Sequence, residues 1–250
     1  MDPVLRFKDK ILLFSDGGSK GNPGPGGWGV VIVEPAGQVV ELGAGDRHTT
    51  NNRMEMSGVI GGLRHLRKTA GEVAVLTDST YVIRGIQQWI EGWIRRGWRT
   101  ASGGEVKNEL LWKDLHHLVR DREQRYGKMS WHYTRGHTGI PGNERVDAIA
   151  EAKALGKRIT LYKGSLLKYD VPVYDLPEDT SLPEPRDDWR KKAGKKAKAF
   201  AYLSLVGGEF QTHPDWKSCE ARVKGRPGAR FKKAMTEADV RKIRREWGLE

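Results

Sequence analysis

At 250 residues, with 37% hydrophobic and 30% charged, the chain is long enough for one full domain plus a smaller one, and its composition excludes a fibrous or wholly disordered protein. A single cysteine, Cys219, excludes an internal disulfide framework and a cysteine-rich zinc site, and no apolar run reaches the length of a signal-peptide core or a membrane span, so a cytoplasmic protein without membrane contact is expected. The net charge of +12 points to a polyanion partner, nucleic acid before anionic membrane.

In chain order, residues 10–16 predict a strand apolar on both faces and closed by Asp16. A Gly/Pro-rich turn leads to strands over 28–33 and 38–45. Asn52 is placed to cap a helix over 53–68, with Met56, Val59, Ile60, Leu63 and Leu66 at helical spacing. A strand over 73–77 ends at Asp78. Helices are predicted near 80–93 and 110–125, a strand over 129–134, and a helix over 144–155 carrying Asp147. Strands interleaved with helices make this an α/β domain, with ligand sites expected beyond the carboxyl ends of strands. Residues 161–190, with prolines among acids and a net charge of −3, read as an extended linker. A lysine cluster over 191–198 opens a small α/β segment of net charge +9 (191–250). In it a strand over 199–206, a helix over 215–224 and a last helix striped by Val240, Ile243 and Trp247 are predicted.

Four acids stand out by their surroundings: Asp16 in SDGGSKGNPGPGGWG, Glu55 in TTNNRMEM, Asp78 in LTDSTYV and Asp147 in RGHTGIPGNERVDAIA. Singly, three of them have a plain structural explanation: Asp16 as a turn residue before Gly17, Glu55 and Asp147 as partners of helix N-termini. Converging carboxylates can instead hold a pair of divalent cations, which cut phosphodiesters. In this order and spacing the four segments resemble ribonuclease H of type 1, which cuts the RNA strand of RNA–DNA hybrids. The resemblance covers about residues 9–155 and implies a mixed five-stranded sheet flanked by helices.

It further implies that Asp16, Glu55, Asp78 and Asp147 hold two Mg²⁺ ions (Mn²⁺ as a substitute). Asp16 would bridge, Glu55 and Asp78 would serve one ion and Asp147 the other, with 5′-phosphate and 3′-hydroxyl products. His137 is implied to move a proton or aid product release. Asn22, Asn51 and Asn52 match positions that hydrogen-bond the hybrid, and amides of this kind can read 2′-hydroxyls. Asn143 and Glu144 match positions that contact RNA or modulate metal occupancy. Gly18 departs from the pattern, since many relatives carry Ser there. The segment WIEGWIRRGWRTASGGEVKN resembles the family's basic handle, which implies DNA-strand contacts for Trp93, Arg95, Arg96, Trp98 and Arg99.

The segment FQTHPDWKSCEARVKGRPGARFKKAMTEADV resembles the hybrid-binding domain of eukaryotic type 1 enzymes, though at the other end of the chain. Trp216, Phe231, Lys232 and Lys233 are the implied contacts, and residues 213–215 read as an insertion. The expected partner is an RNA–DNA hybrid, with double-stranded RNA as a second candidate, bound by a monomer. Two alternatives stay open: a non-catalytic hybrid- or double-stranded-RNA-binding protein on this fold, and a DNA-cutting relative. The intact acids argue against the first, the handle and the asparagines against the second.

Overall fold

The computed structural model describes residues 6–136, 138–184 and 199–249. The chain divides between Pro183 and Glu184 into two compact units. In the first, β1 (Ile11–Ser19), β2 (Gly24–Val33) and β3 (Gln38–Thr49) form an antiparallel meander. Strands β4 (Val73–Thr77) and β5 (Met129–Tyr133) extend the other edge of β1 in parallel, giving the order β5-β4-β1-β2-β3-β6 once β6 (Lys163–Ser165) pairs with β3. The helices are α1 (Asn51–His65), α2 (Thr80–Arg84), a π-helical turn (Gly85–Trp89) running into α3 (Ile90–Arg95), α4 (Glu109–Arg125) and α5 (Pro141–Ala154).

The strands are apolar on both faces because both faces are covered. Ile11, Leu13, Val30 and Ile32 pack with Met56, Val59 and Leu63 of α1 and with Trp112 of α4. Leu12, Phe14, Val31 and Leu76 pack on the opposite side with Val146 and Ile149 of α5. Among the described residues no helix is long and apolar enough to cross a membrane.

The expected extended linker over 161–190 does not hold through residue 183. This stretch supplies β6, the sixth strand where five were expected, and buries Val173 and Leu176 in the α5-side core with Leu161, Tyr162, Leu166, Tyr169, Val171 and Tyr174 against it. Its prolines and acids are real, but an apolar or aromatic residue recurs every few positions, enough to cover the sheet area that α5 leaves open. At its far end the Tyr133 amide donates to the Thr180 carbonyl (2.9 Å), so the strap reaches from β3 to β5. Beside it, His132 bonds through its ring nitrogens with Thr180 Oγ1 (3.0 Å) and Ser130 Oγ (2.9 Å). Burial, with Arg6 and Lys10 nearby, pushes the His132 pKa down to about 4, so it stays neutral.

The strap is tied at Glu41, an acid of β3 that is only 3% exposed. Arg145 of α5 donates from Nε and Nη2 to its two oxygens (2.7 and 2.6 Å). The Tyr169 hydroxyl (2.6 Å) and the Tyr162 amide (2.9 Å) donate to them as well. Burial alone would raise the pKa of Glu41. The four donors outweigh it and hold the carboxyl below its ordinary 4.5.

The second unit is a three-stranded antiparallel sheet, order β8-β7-β9, of β7 (Ala201–Val206), β8 (Glu209–His213) and β9 (Arg230–Ala234), with α6 (Trp216–Val223) and α7 (Glu237–Glu246). Asp215 caps α6, accepting from the Ser218 amide (2.8 Å), and Thr236 and Asp239 form a capping box at α7. Ala201, Leu203, Ala234 and Ile243 are its buried core, joined by Phe210, Val240 and Trp247. Residues 213–215, expected as an insertion, are built into the fold: His213 closes β8, its Nε2 pairs with Ser204 Oγ at 2.8 Å, and Asp215 is the α6 cap. The lysine cluster over 191–198 lies outside the described residues.

Replacing Glu41 tests the strap. Glu41→Ala strands Arg145 and is expected to cost about 3 kcal/mol, the low end for a broken buried pair because Arg145 keeps some solvent access. The folded pKa of Glu41 is depressed, so its stabilisation is complete above pH 4.5 and is lost as pH falls through the folded value. Urea unfolding from pH 7 to pH 3 is therefore expected to show a shallower acid loss in Glu41→Gln than in the parent.

Candidate active site

Asp16 lies within β1, not at its end. The strand continues to Ser19 alongside the glycine-rich start of β2: Asp16 lies opposite Gly29, Gly17 opposite Trp28, Gly18 opposite Gly27 and Ser19 opposite Gly26. Two close approaches then bring helices to the acid. A Cβ at Gly17 would sit 2.3 Å from the Met54 carbonyl carbon and 2.5 Å from the Glu55 nitrogen, so only glycine lets the first turns of α1 rest on β1 and set Glu55 beside Asp16. A Cβ at Gly29 would lie 2.3 Å from the Val146 oxygen, so α5 presses onto β2 where it carries Asp147. Asp78 follows β4, the parallel neighbour of β1.

The four acids line one cleft of about 440 Å³, together with Gly17, Gly18, Ser19, Lys20, Asn51 and Glu151 among others. The Gly17 amide donates to Asp16 Oδ1 (2.6 Å), and Ser79 Oγ donates to Glu55 Oε2 (2.6 Å) while accepting from the Val82 amide at the start of α2. Burial first, then the charges of Asp78, Asp147 and Glu55, push the Asp16 pKa up to about 7 against the Gly17 bond. Glu55 is raised too, by burial and then Asp78, with Ser79 opposing. Among the described residues no three His, Cys, Asp or Glu are grouped as they stand to hold a metal ion. The donor set nonetheless fits hard divalent cations, being all oxygen and crowded with negative charge that a cation relieves.

The other expected contacts divide. Asn51 sits in the cleft, its Oδ1 accepting from the Ser19 amide (2.7 Å) and hydroxyl (2.8 Å). Asn22 and Asn52 are exposed, and Asn52 lies inside the first turn of α1 rather than capping it, since the helix begins at Asn51 after Thr50. Asn143 is not at the surface: it is 3% exposed, its Oδ1 accepting from Thr134 Oγ1 (2.8 Å), because α5 starts at Pro141 and turns that position inward. Glu144, next to it, is exposed. Trp93 is also core, buried between Trp89 and Trp112 (ring centroids 5.8 and 5.4 Å away), because that face of α3 packs on α4. Arg95, Arg96 and Arg99 are exposed, and Trp98 is half-buried with Lys113 Nζ 5.1 Å above its ring. His137 lies outside the described residues.

On the second unit, Trp216 and Phe231 are exposed and lie against one another with tilted rings (centroids 5.2 Å apart, 55°), with Tyr202 next to Trp216 (5.8 Å). The two lysines separate. Lys233 pairs across the sheet with Tyr202, on the face of Phe231, whereas Lys232 pairs with Leu203 on the α7 face and is held by Glu246. The residues missed from sequence are Ser79, Lys20 and Glu151. A serine before a helix reads only as a cap, and nothing local links Lys20 to a glutamate far along the chain.

A family model described as RNase H matches residues 8–155. A ribonuclease H of Cupriavidus pinatubonensis is 50% identical over 141 residues, which span 56% of this chain and 92% of the relative. A ribonuclease HI of Pseudomonas putida is 47% identical over 144 residues, spanning 58% of this chain and 93% of the relative. Among solved structures, LC9-RNase H1, described as a type 1 RNase H with the type 2 active-site motif, is similar with a TM-score of 0.52 at 25% identity, over 70% of this chain and 90% of that one. The matched region ends before the second unit and takes in Asp16, Glu55, Asp78 and Asp147. The chain belongs to the RNase H family, the ribonucleases of RNA–DNA hybrids.

Proposed function

We propose that the chain is an endonuclease that cuts the RNA strand of RNA–DNA hybrids with two divalent cations, Mg²⁺ or in its place Mn²⁺, leaving 5′-phosphate and 3′-hydroxyl ends. The observation that supports this most is the convergence of Asp16, Glu55, Asp78 and Asp147, from four separate elements, on one cleft. Asp16, Glu55, Asp78 and Asp147 would hold the cations. Bound there, the cations supply water activation and charge stabilisation at the leaving oxygen. The protein's own part is positional. Ser79 orients Glu55 through its hydroxyl, and Asn51, braced by Ser19, offers its amide to a 2′-hydroxyl. Asn22, Asn52 and Glu144 are exposed and available to the hybrid. His137 takes the proton-moving role that the family resemblance implies for it.

Arg95, Arg96 and Arg99 present cations for the DNA-strand phosphates. The second unit, whose described boundary begins at Glu184, is proposed to grip the same kind of duplex through Trp216, Phe231 and Lys233, with no base reading. Lys232, engaged by Glu246, is left with a lesser part.

Three measurements test this. Asp16→Asn is expected to lower Mg²⁺-dependent cleavage of a labelled hybrid by about a thousandfold or more while hybrid affinity stays within a fewfold of the parent. A parent that leaves hybrid uncut with either metal, or cuts double-stranded DNA as fast, sinks the reading. Trp216→Ala is expected to weaken hybrid binding by about tenfold. Lys233→Ala should reduce the slope of log affinity against log salt by about one, and Lys232→Ala by clearly less; equal slopes would refute the division of the two lysines.

A further inference from the structure

Five carboxylates, not four, line the cleft. Glu151 stands four residues after Asp147 on α5, and with it in the cleft wall is Lys20, the one Lys or Arg among the described lining residues. Lys20 Nζ and Glu151 Oε1 are 2.6 Å apart, and both side chains are more than half exposed. The contact keeps the Glu151 carboxyl below its usual range, so the two are an ion pair at neutral pH. Such an exposed pair adds little to stability and is easily exchanged for another anion.

The backbone at Lys20 is held by hydrogen bonds, while its side chain is more than half exposed. The Lys20 amide donates to the Pro25 carbonyl (2.7 Å), and Ser19, the residue before it, is tied to Asn51 at the start of α1. The ammonium therefore hangs from a hydrogen-bonded turn in the wall of an acid-lined cleft that a polyanion has to enter. Carboxylates repel phosphates, and the Lys20 side chain is the cleft's own means of countering that repulsion.

We infer that Lys20 is a phosphate-binding residue of the cleft, held in waiting by Glu151 and transferred from that carboxylate to a backbone phosphate of the strand that enters. This deepens the hybrid-cutting reading and rests on it. Glu151 is the competitor in the exchange, so the two residues have opposite effects on affinity. If the pair were only a strut between the β1–β2 turn and α5, removing either partner would have the same effect.

The experiment measures hybrid affinity across a salt series in the non-cutting Asp16→Asn background, with Lys20→Ala, Lys20→Arg and Glu151→Gln added singly, and KM in the cutting parent. Lys20→Ala is expected to weaken binding about three- to tenfold, raise KM to match and lower the salt slope by about one. Lys20→Arg should restore the slope, and Glu151→Gln should tighten binding about two- to threefold. Equal weakening by Lys20→Ala and Glu151→Gln would overturn the inference in favour of a strut, and an unmoved slope in Lys20→Ala would overturn it outright. A parent that cuts no hybrid indicts the hybrid-cutting reading instead, and the slopes in the Asp16→Asn background still decide the part played by Lys20.

Discussion

Like charges held together against their own repulsion are the constraint on which this molecule is built. Left to themselves, carboxylates in a shared, half-buried cleft either separate or take up protons, and burial first, then the neighbouring carboxylates, lift the pKa of Asp16. What opposes it is packing. The first turns of α1 lie on β1 at Gly17 and α5 lies on β2 at Gly29, each too close for a side chain, and the apolar faces of both helices are sealed into separate cores on either side of the sheet. The acids cannot drift apart without opening those cores. Cations are the natural relief for a site whose scaffold keeps its charges crowded.

The strap over 161–183 belongs to the same logic. α5 carries Asp147 but is one helix on a six-stranded sheet, so much of that face would stay wet without further cover. The strap supplies it, and Glu41 joins β3, α5 and the strap at a single buried carboxylate through Arg145, Tyr162 and Tyr169. The bond from Arg145, two residues before Asp147, links the stability of the far edge of the sheet to the helix that presents a cleft acid.

The fold, and the gathering of Asp16, Glu55, Asp78 and Asp147 in one cleft, were legible because their signals are local: two-sided apolar strands, helical spacing, and acids in distinctive short segments. What misled was composition read without spacing. Prolines and acids over 161–190 suggested a solvated linker, although Val173, Leu176 and the tyrosines among them were spaced to cover a sheet. Asn143 and Trp93 looked like surface contacts because the sequence does not say which way a helix turns its side chains. The starting residue of α5 and the packing of α3 on α4 decide that, and both put these residues inside. Lys232 and Lys233 read as one basic pair, yet adjacent strand positions face opposite ways, and the register sends one to Glu246 and the other to the aromatic face.

Charge is divided between places suited to different things. The cleft is acidic, which suits cations and repels a nucleic-acid backbone. The exposed arginines near the end of α3 and the basic surface of the second unit are the opposite, suited to a polyanion and useless for holding metal. An acidic cleft alone would bind nucleic acid poorly, and a basic surface alone would bind it without cutting. Keeping the two charge types on separate elements allows each to be strong. A nucleic acid entering the cleft meets a wall of carboxylates, and the lysine in that wall, already neutralising an acid it can release, lowers the electrostatic cost of entry.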